Sequence, residues 1–255
     1  FYYFDARGKL ERLEQDTDES GRIDQVTHYR NGRVERIETD TAGDGHLDTE
    51  EVFENGALVL KTADHNRDGR PEMRVIFGAE EQPEKVETDE DGDGRLDTWK
   101  HYDSGRLILL ERDRGGDGKA DYRLSYDEKR GTKRMEDENE DGCFEKIVWF
   151  DEAGSPVKME EDRDGNGVAE VRTVYRDGRV ETRNVDRNED GRPEVREHFD
   201  RSGKIKMVEE DREGNGTMDT TWYYNNEGRI SRVEVDEDGD GVTDIWHRYR
   251  EGIPV

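Results

Sequence analysis

The nine residues Asp89-Glu-Asp-Gly-Asp-Gly-Arg-Leu-Asp97 recur as Asp236-Glu-Asp-Gly-Asp-Gly-Val-Thr-Asp244. Weaker copies begin at Asp16, Asp40, Asp64, Asp113, Asp137, Asp162, Asp186 and Asp211, so ten copies follow one another at steps of 24 or 25 residues. Position 1 is always Asp, position 6 always Gly, and position 9 always Asp or Glu. About midway between copies lies a second signature: an aromatic residue, a few polar ones, then Gly. Phe4, Tyr29, Phe53, Phe77, Tyr102, Tyr126, Phe150, Tyr175, Phe199, Tyr224 and Tyr249 hold the aromatic position, eleven of the 21 aromatics in the chain. A register kept over the whole length defines a repeat architecture, here one repeat domain over residues 1–255.

Composition alone points elsewhere. Of 255 residues, 43% are charged, and 68 acids against 41 Lys and Arg leave a net charge of −27. Leu, Ile, Val and Phe number 45, under the one-fifth or so below which a highly charged chain stays disordered. An ordinary large apolar core is therefore excluded, and something must replace it. The negative charge repels phosphate backbones and anionic lipid, so no nucleic-acid partner is expected. No apolar run is long enough to span a bilayer, so no membrane insertion is expected either. The single Cys143 rules out an internal disulfide framework. No signal peptide is recognised, and Phe1 opens inside the pattern, so the chain reads as a mature protein or a fragment.

The 15 or 16 residues between loops have room for two strands and a turn, not for two helices. Outgoing stretches such as Thr98-Trp-Lys-His-Tyr102 and Val171-Arg-Thr-Val-Tyr175 carry the β-branched and aromatic residues that favour strands. Asn31-Gly32, Asn55-Gly56 and Asp177-Gly178 are tight-hairpin signals. In the return strands the apolar residues stand three apart, as in Val34 and Ile37 or Leu107 and Leu110. That spacing does not fit simple alternation; a bulge would explain it. The expected fold is all-β: an elongated, curled antiparallel meander of about ten hairpins, with a five-bladed β-propeller as the alternative. Loop position 4 is not Gly in copies 1, 3, 6 and 8, a pattern that repeats after five copies. Either an ancestral five-unit duplication or five hairpins per superhelical turn would produce it.

The loop itself reads as a Ca²⁺ site. Hard oxygen donors at alternate positions around a Gly turn are what this ion requires. The candidate ligands are Asp16, Asp18, Ser20 and Asp24; Asp40, Asp44 and Asp48; Asp64, Asn66, Asp68 and Glu72. They continue with Asp89, Asp91, Asp93 and Asp97; Asp113, Asp117 and Asp121; Asp137, Asn139, Asp141 and Glu145. The remaining loops offer Asp162, Asp164, Asn166 and Glu170; Asp186, Asn188, Asp190 and Glu194; Asp211, Glu213, Asn215 and Asp219; and Asp236, Asp238, Asp240 and Asp244. Copies 2 and 5 have Ala42 and Gly115 at position 3, where water must complete the shell. Loops 4 and 10, with four Asp each, are expected to bind best. These positions hold 32 of the 68 acids, a crowding that is unfavourable without a cation. Up to ten calcium ions are expected. Mg²⁺ prefers to keep its waters, and zinc lacks its His and Cys ligands here.

The loop resembles the Asp-x-Asp-x-Asp-Gly-x-x-Asp calcium loop of integrin α-subunit repeats. It is less similar to an EF-hand, whose Glu at position 12 is matched by an acid only at Glu51 and Glu197. The turns Tyr102-Asp-Ser-Gly-Arg-Leu107 and Phe4-Asp-Ala-Arg-Gly-Lys-Leu10 resemble YD-repeats of bacterial surface and toxin-shell proteins. The resemblance implies an exported, bacterial, calcium-stabilised hairpin array.

No Ser-His-Asp, Cys-His, Walker or zincin arrangement is present, so no enzyme is expected. His28, His101 and His198 share one repeat position, which marks them as structural. Two turns depart from the pattern: Phe77-Gly-Ala-Glu-Glu-Gln-Pro83, and the basic Tyr126-Asp-Glu-Lys-Arg-Gly-Thr-Lys-Arg134. They read as tolerated insertions or, at Lys129, Arg130, Lys133 and Arg134, as a contact for an acidic neighbour. The expected function is a calcium-stabilised structural or adhesive protein, extracellular or at the cell surface. Its partners would be calcium and a second copy, a cell-surface protein or a glycan. A fragment of a YD-type toxin-delivery shell, or a repeat-fold enzyme with an unrecognised site, is the alternative.

Overall fold

The computed structural model describes residues 1–127, 131–250 and 253–255. It divides into two compact units, Phe1–Tyr126 and Asp127–Val255. The first contains β1 (Tyr2–Phe4), β2 (Leu10–Gln15), β3 (Gln25–Arg30), β4 (Arg33–Thr39), β5 (Thr49–Glu54), β6 (Ala57–Ala63), β7 (Met73–Phe77), β8 (Pro83–Thr88), β9 (Thr98–Asp103), β10 (Arg106–Arg112) and β11 (Tyr122–Asp127). The second contains β12 (Gly131–Glu136), β13 (Lys146–Phe150), β14 (Pro156–Glu161), β15 (Val171–Arg176), β16 (Arg179–Val185), β17 (Val195–Phe199), β18 (Ile205–Glu210), β19 (Thr220–Tyr224), β20 (Ile230–Val235), β21 (Ile245–Arg250) and β22 (Ile253–Pro254).

Within each unit every strand pairs antiparallel with the next in sequence. The all-β hairpin meander is therefore the fold, and the propeller alternative is excluded. A propeller would break the pairing at blade boundaries, and the pairing from β1 to β11 and from β12 to β22 has no such break.

The spacing of three in the return strands has a structural cause. In β3–β4, His28 pairs with Arg36 but Tyr29 pairs with Val34, so Glu35 is an extra residue. The same shift follows the residue before the aromatic in β9–β10, where His101 faces Leu109, Tyr102 faces Leu107, and Ile108 is extra. Such a bulge returns Val34 and Ile37 to one face. That face also carries Thr27 and Tyr29, paired with Ile37 and Val34. The opposite face carries His28, Arg36 and Glu38.

The apolar interior is thin. The buried hydrophobic residues among those described are Val26, Ala63, Val75, Val148, Val171, Val208 and Val233. Buried polar residues are more numerous, and most are Thr or loop Asp. The two departing turns behave differently. Ala79–Glu81 is a single 3₁₀ turn in which Glu80 takes φ 61°. In the basic turn, Lys129 and Arg130 lie outside the described residues. Lys133 sits 5.6 Å from the Trp149 ring centre, and Arg134 pairs with Glu136 at 3.3 Å, so both engage their own sheet.

Candidate metal centres

Each acidic loop joins the return strand of one hairpin to the outgoing strand of the next, and its side chains fold inward onto its own backbone. Loop 4 shows the pattern. Asp89 accepts the amides of Gly92 at 2.7 Å and Gly94 at 2.9 Å. Asp91 accepts the amide of Asp93, Asp93 that of Arg95, and Asp97 those of Glu90 and Asp91. Position 6 has φ between 83° and 97° in every loop, a left-handed conformation that Gly adopts without cost. Position 4 is left-handed too. Gly holds it in six loops, but Glu19, Arg67, Glu140 and Glu189 hold it at φ 58–64° in the others.

Successive loops are tied by the backbone. In eight loops the position-1 amide donates to the position-9 carbonyl of the preceding loop; Asp40 to Asp24, Asp64 to Asp48 and Asp186 to Glu170 do so at 2.7–2.8 Å. Side chains add bridges. The Arg67 guanidinium pairs with Asp44 of the preceding loop, and the Asn166 amide donates to Glu189 at 2.7 Å.

Five loops bring three carboxylates together with ligand oxygens within 4.8 Å of one another. They are Asp16, Asp18 and Asp24; Asp89, Asp91 and Asp97; Asp137, Asp141 and Glu145; Asp162, Asp164 and Glu170; and Asp236, Asp238 and Asp244. Asp93 and Asp240 stand outside their groups. Among the described residues, loops 2, 3, 5, 8 and 9 form no such group: Asp40, Asp44 and Asp48; Asp64, Asp68 and Glu72; Asp113, Asp117 and Asp121; Asp186, Asp190 and Glu194; and Asp211, Glu213 and Asp219 remain farther apart. The amide side chains at positions 3 and 5 cap backbone instead: Asn66, Asn139 and Asn188 accept the position-5 amide, and Asn166 and Asn215 the position-7 amide. The Ser20 amide donates to Asp16 and Asp18.

The electrostatics keep several of these acids ionised. The Ser20 hydroxyl and amide hold Asp18 below the usual carboxylate range. Burial opposes ionisation of Asp48, but the amide and hydroxyl of Thr41 and the hydroxyl of Thr49 outweigh it, and its pKa also falls. Glu72 is lowered in the same way: burial opposes, and backbone amides, His65 first, prevail.

The bonding is incomplete where it matters most. Asp121 Oδ1, Asp137 Oδ1, Glu145 Oε1 and Asp186 Oδ1 are buried with no hydrogen-bond partner. Asp121, Asp137 and Asp186 are 6%, 8% and 2% exposed, so water does not compensate. Leaving a buried acceptor unmade costs about 1–3 kcal/mol, more when it is charged. Two of the four oxygens belong to loop 6, whose three carboxylates also converge.

Sequence reasoning missed two sets of residues. Thr49, Thr98 and Thr220, at loop position 10, are 1–6% exposed, and Thr49 and Thr220 donate to the preceding Asp. Their recurrence was the available signal. The position-4 residues that reach the preceding loop left no sequence signal.

No protein-family model and no curated protein matches the chain. Among solved structures it is similar to the TcdB2-TccC3-TEV crystal structure over 98% of its length, at 10% identity and TM-score 0.24, covering 19% of that chain. The Tc holotoxin pore of Photorhabdus luminescens matches over 96% at 14% identity and TM-score 0.21, covering 15% of that chain. A porin-like protein from Bacteroides uniformis matches over 96% at 11% identity and TM-score 0.23, covering 92% of that chain. The chain spans less than a fifth of the toxin chains, and likenesses of this order assign it no function. Among the described residues no helix is long and apolar enough to cross a membrane.

Proposed function

We propose that this chain is a calcium-binding repeat protein in which the ions replace the missing apolar core, serving a structural or adhesive role outside the cell. The observation that carries the reading is loop 6: Asp137, Asp141 and Glu145 converge, and one buried oxygen each of Asp137 and Glu145 lacks any partner. A cation supplies what those oxygens lack. Oxygen-only donors favour Ca²⁺ over softer ions.

The location follows from affinity. Loops of three or four acids on short turns resemble extracellular modules with dissociation constants of about 10⁻⁴–10⁻³ M. Such sites fill outside a cell and stay empty in a cytosol. A bacterial, exported origin fits the hairpin-repeat resemblance. The reading includes no catalysis: His28, His101 and His198 each pair with a glutamate, Glu38, Glu111 and Glu209, at 2.7–3.0 Å, as part of a cross-strand ion ladder.

Calorimetric calcium titration of the chain and of Asp137→Asn tests the proposal. The native chain takes up several ions with sub-millimolar to millimolar affinity. Asp137→Asn weakens one site by about tenfold or more, near 1.4 kcal/mol. In EGTA the same variant is at least as stable as the native chain, since it removes an uncompensated charge. No heat of binding at millimolar calcium would refute the reading.

A further inference from the structure

Several repeat positions lose their usual charge at one place. On the ladder face, Glu38 faces Glu50, Glu111 faces Arg123 and Glu160 faces Arg172. The corresponding pair in β12–β13 is Met135 and Ile147. Loop position 7 is Arg or Lys in half the copies, including Arg95 and Arg192, but is Cys143 in loop 6 and Val168 in loop 7. Position 8 of loop 7 is the small Ala169. Met135, Ile147, Cys143, Val168 and Ala169 all line one cleft of about 490 Å³, with Phe144.

The rim of the cleft is acidic. Glu145, Glu160 and Asp162 border it, and Arg172 is the one lining cation among the described residues. That guanidinium is already shared, with Nε 3.6 Å from Glu160 and Nη1 3.8 Å from Asp186. Glu145 Oε1 is buried and unpartnered. Volume, apolar walls and a few polar groups match the ordinary make-up of a small-molecule site.

We infer that this cleft binds a small amphipathic organic cation. Its aryl or alkyl part lies against Met135, Phe144, Ile147 and Val168, and its ammonium donates charge-assisted hydrogen bonds to Glu145 and Asp162. Thioether and thiol sulfur pack well against an aromatic ring. The site stands without the calcium reading, although the two share Glu145 and Asp162. Loops 6 and 7 each bring three ligand acids together, so one dication in each leaves each at −1 and weakens the preference for a cation without reversing it.

The test uses the full chain in EGTA, titrated with phenethylammonium and, separately, with 3-phenylpropionate, and followed by NMR. The cation binds saturably in the millimolar range, with shifts confined to the cleft, and the anion binds at least about tenfold more weakly. Ala169→Leu fills the cleft. Val168→Arg restores the charge that other loops carry at this half-exposed position. Each lowers affinity by about tenfold while leaving the circular dichroism unchanged. Absence of saturable binding, equal binding of the anion, or native affinity in both variants would overturn the assignment.

Discussion

At loop position 4 the backbone is left-handed in every loop, yet its amide reaches the first Asp in some loops and not in others. In seven loops the position-4 amide reaches Oδ1 of the first Asp, as Gly43 does for Asp40 and Arg67 for Asp64. In loops 6 and 8, where Glu140 and Glu189 hold position 4, that bond is absent and Asp137 and Asp186 each keep an orphan oxygen. A left-handed non-Gly residue costs about 1–2 kcal/mol, offset in part by the flexibility that Gly gives the unfolded chain. Glu140→Gly is therefore expected to stabilise the calcium-free protein by about 0.5–1 kcal/mol in denaturant titration. A loss of stability would show that Glu140 has a favourable role. The acid positions of loop 6 are legible in the sequence, but not this deficit, because spacing records which donors exist and not which amide reaches which oxygen. Loops 4 and 10, with four Asp each, bring three of them together, and the buried carboxylate oxygens without a hydrogen bond lie in loops 5, 6 and 8.

In the hairpin, the bulge sets the register. Strand positions, tight Asn-Gly turns and the loop period were all legible, because each depends on local residues. The bulge was not, since it is a property of pairing between strands; only the apolar spacing of three hinted at it. Deleting Glu35 removes the extra residue and leaves Val34 and Ile37 two apart, so regular alternation keeps both on one face. Deleting His28, which has a partner, instead makes Thr27 and Tyr29 adjacent and sends them to opposite faces. The second deletion is expected to cost more than about 2 kcal/mol, the scale of losing a packed aliphatic side chain, and the first less. Equal effects in thermal melts would contradict the bulge. The β17–β18 turn adds a pH-dependent element. The Ser202 hydroxyl, then the Lys204 amide, holds Asp200 below the ordinary carboxylate range. A depressed folded pKa stabilises above the unfolded value, near 3.9, and the benefit is lost as pH falls through the folded one. Amide protection in this hairpin, taken relative to the intrinsic exchange rate at each pH, is thus expected to fall on acidification below about pH 4 in the native chain, and much less in Asp200→Asn. An identical acid response in both would remove Asp200 from the account.

For the whole molecule, the question is what stabilises 255 residues with so few buried aliphatic side chains. Backbone pairing and the cross-strand ion ladder give each hairpin its neighbours. Within each unit the position-1 to position-9 amide bonds link successive loops, so that stability is shared between adjacent repeats. Against this stand 32 acids gathered in ten loops of a chain with net charge −27. In the calcium-binding proposal, ions bound only to the folded state would relieve that repulsion and add about 2.7 kcal/mol per site at a hundred times the dissociation constant. The most direct measurement is thermal unfolding, followed by far-UV circular dichroism, in EGTA and across a calcium series to millimolar concentrations. The account predicts a melting temperature that is lowest in EGTA, where the chain keeps its fold but loses stability, and that climbs continuously with calcium. A melting temperature unchanged between EGTA and millimolar calcium would contradict it.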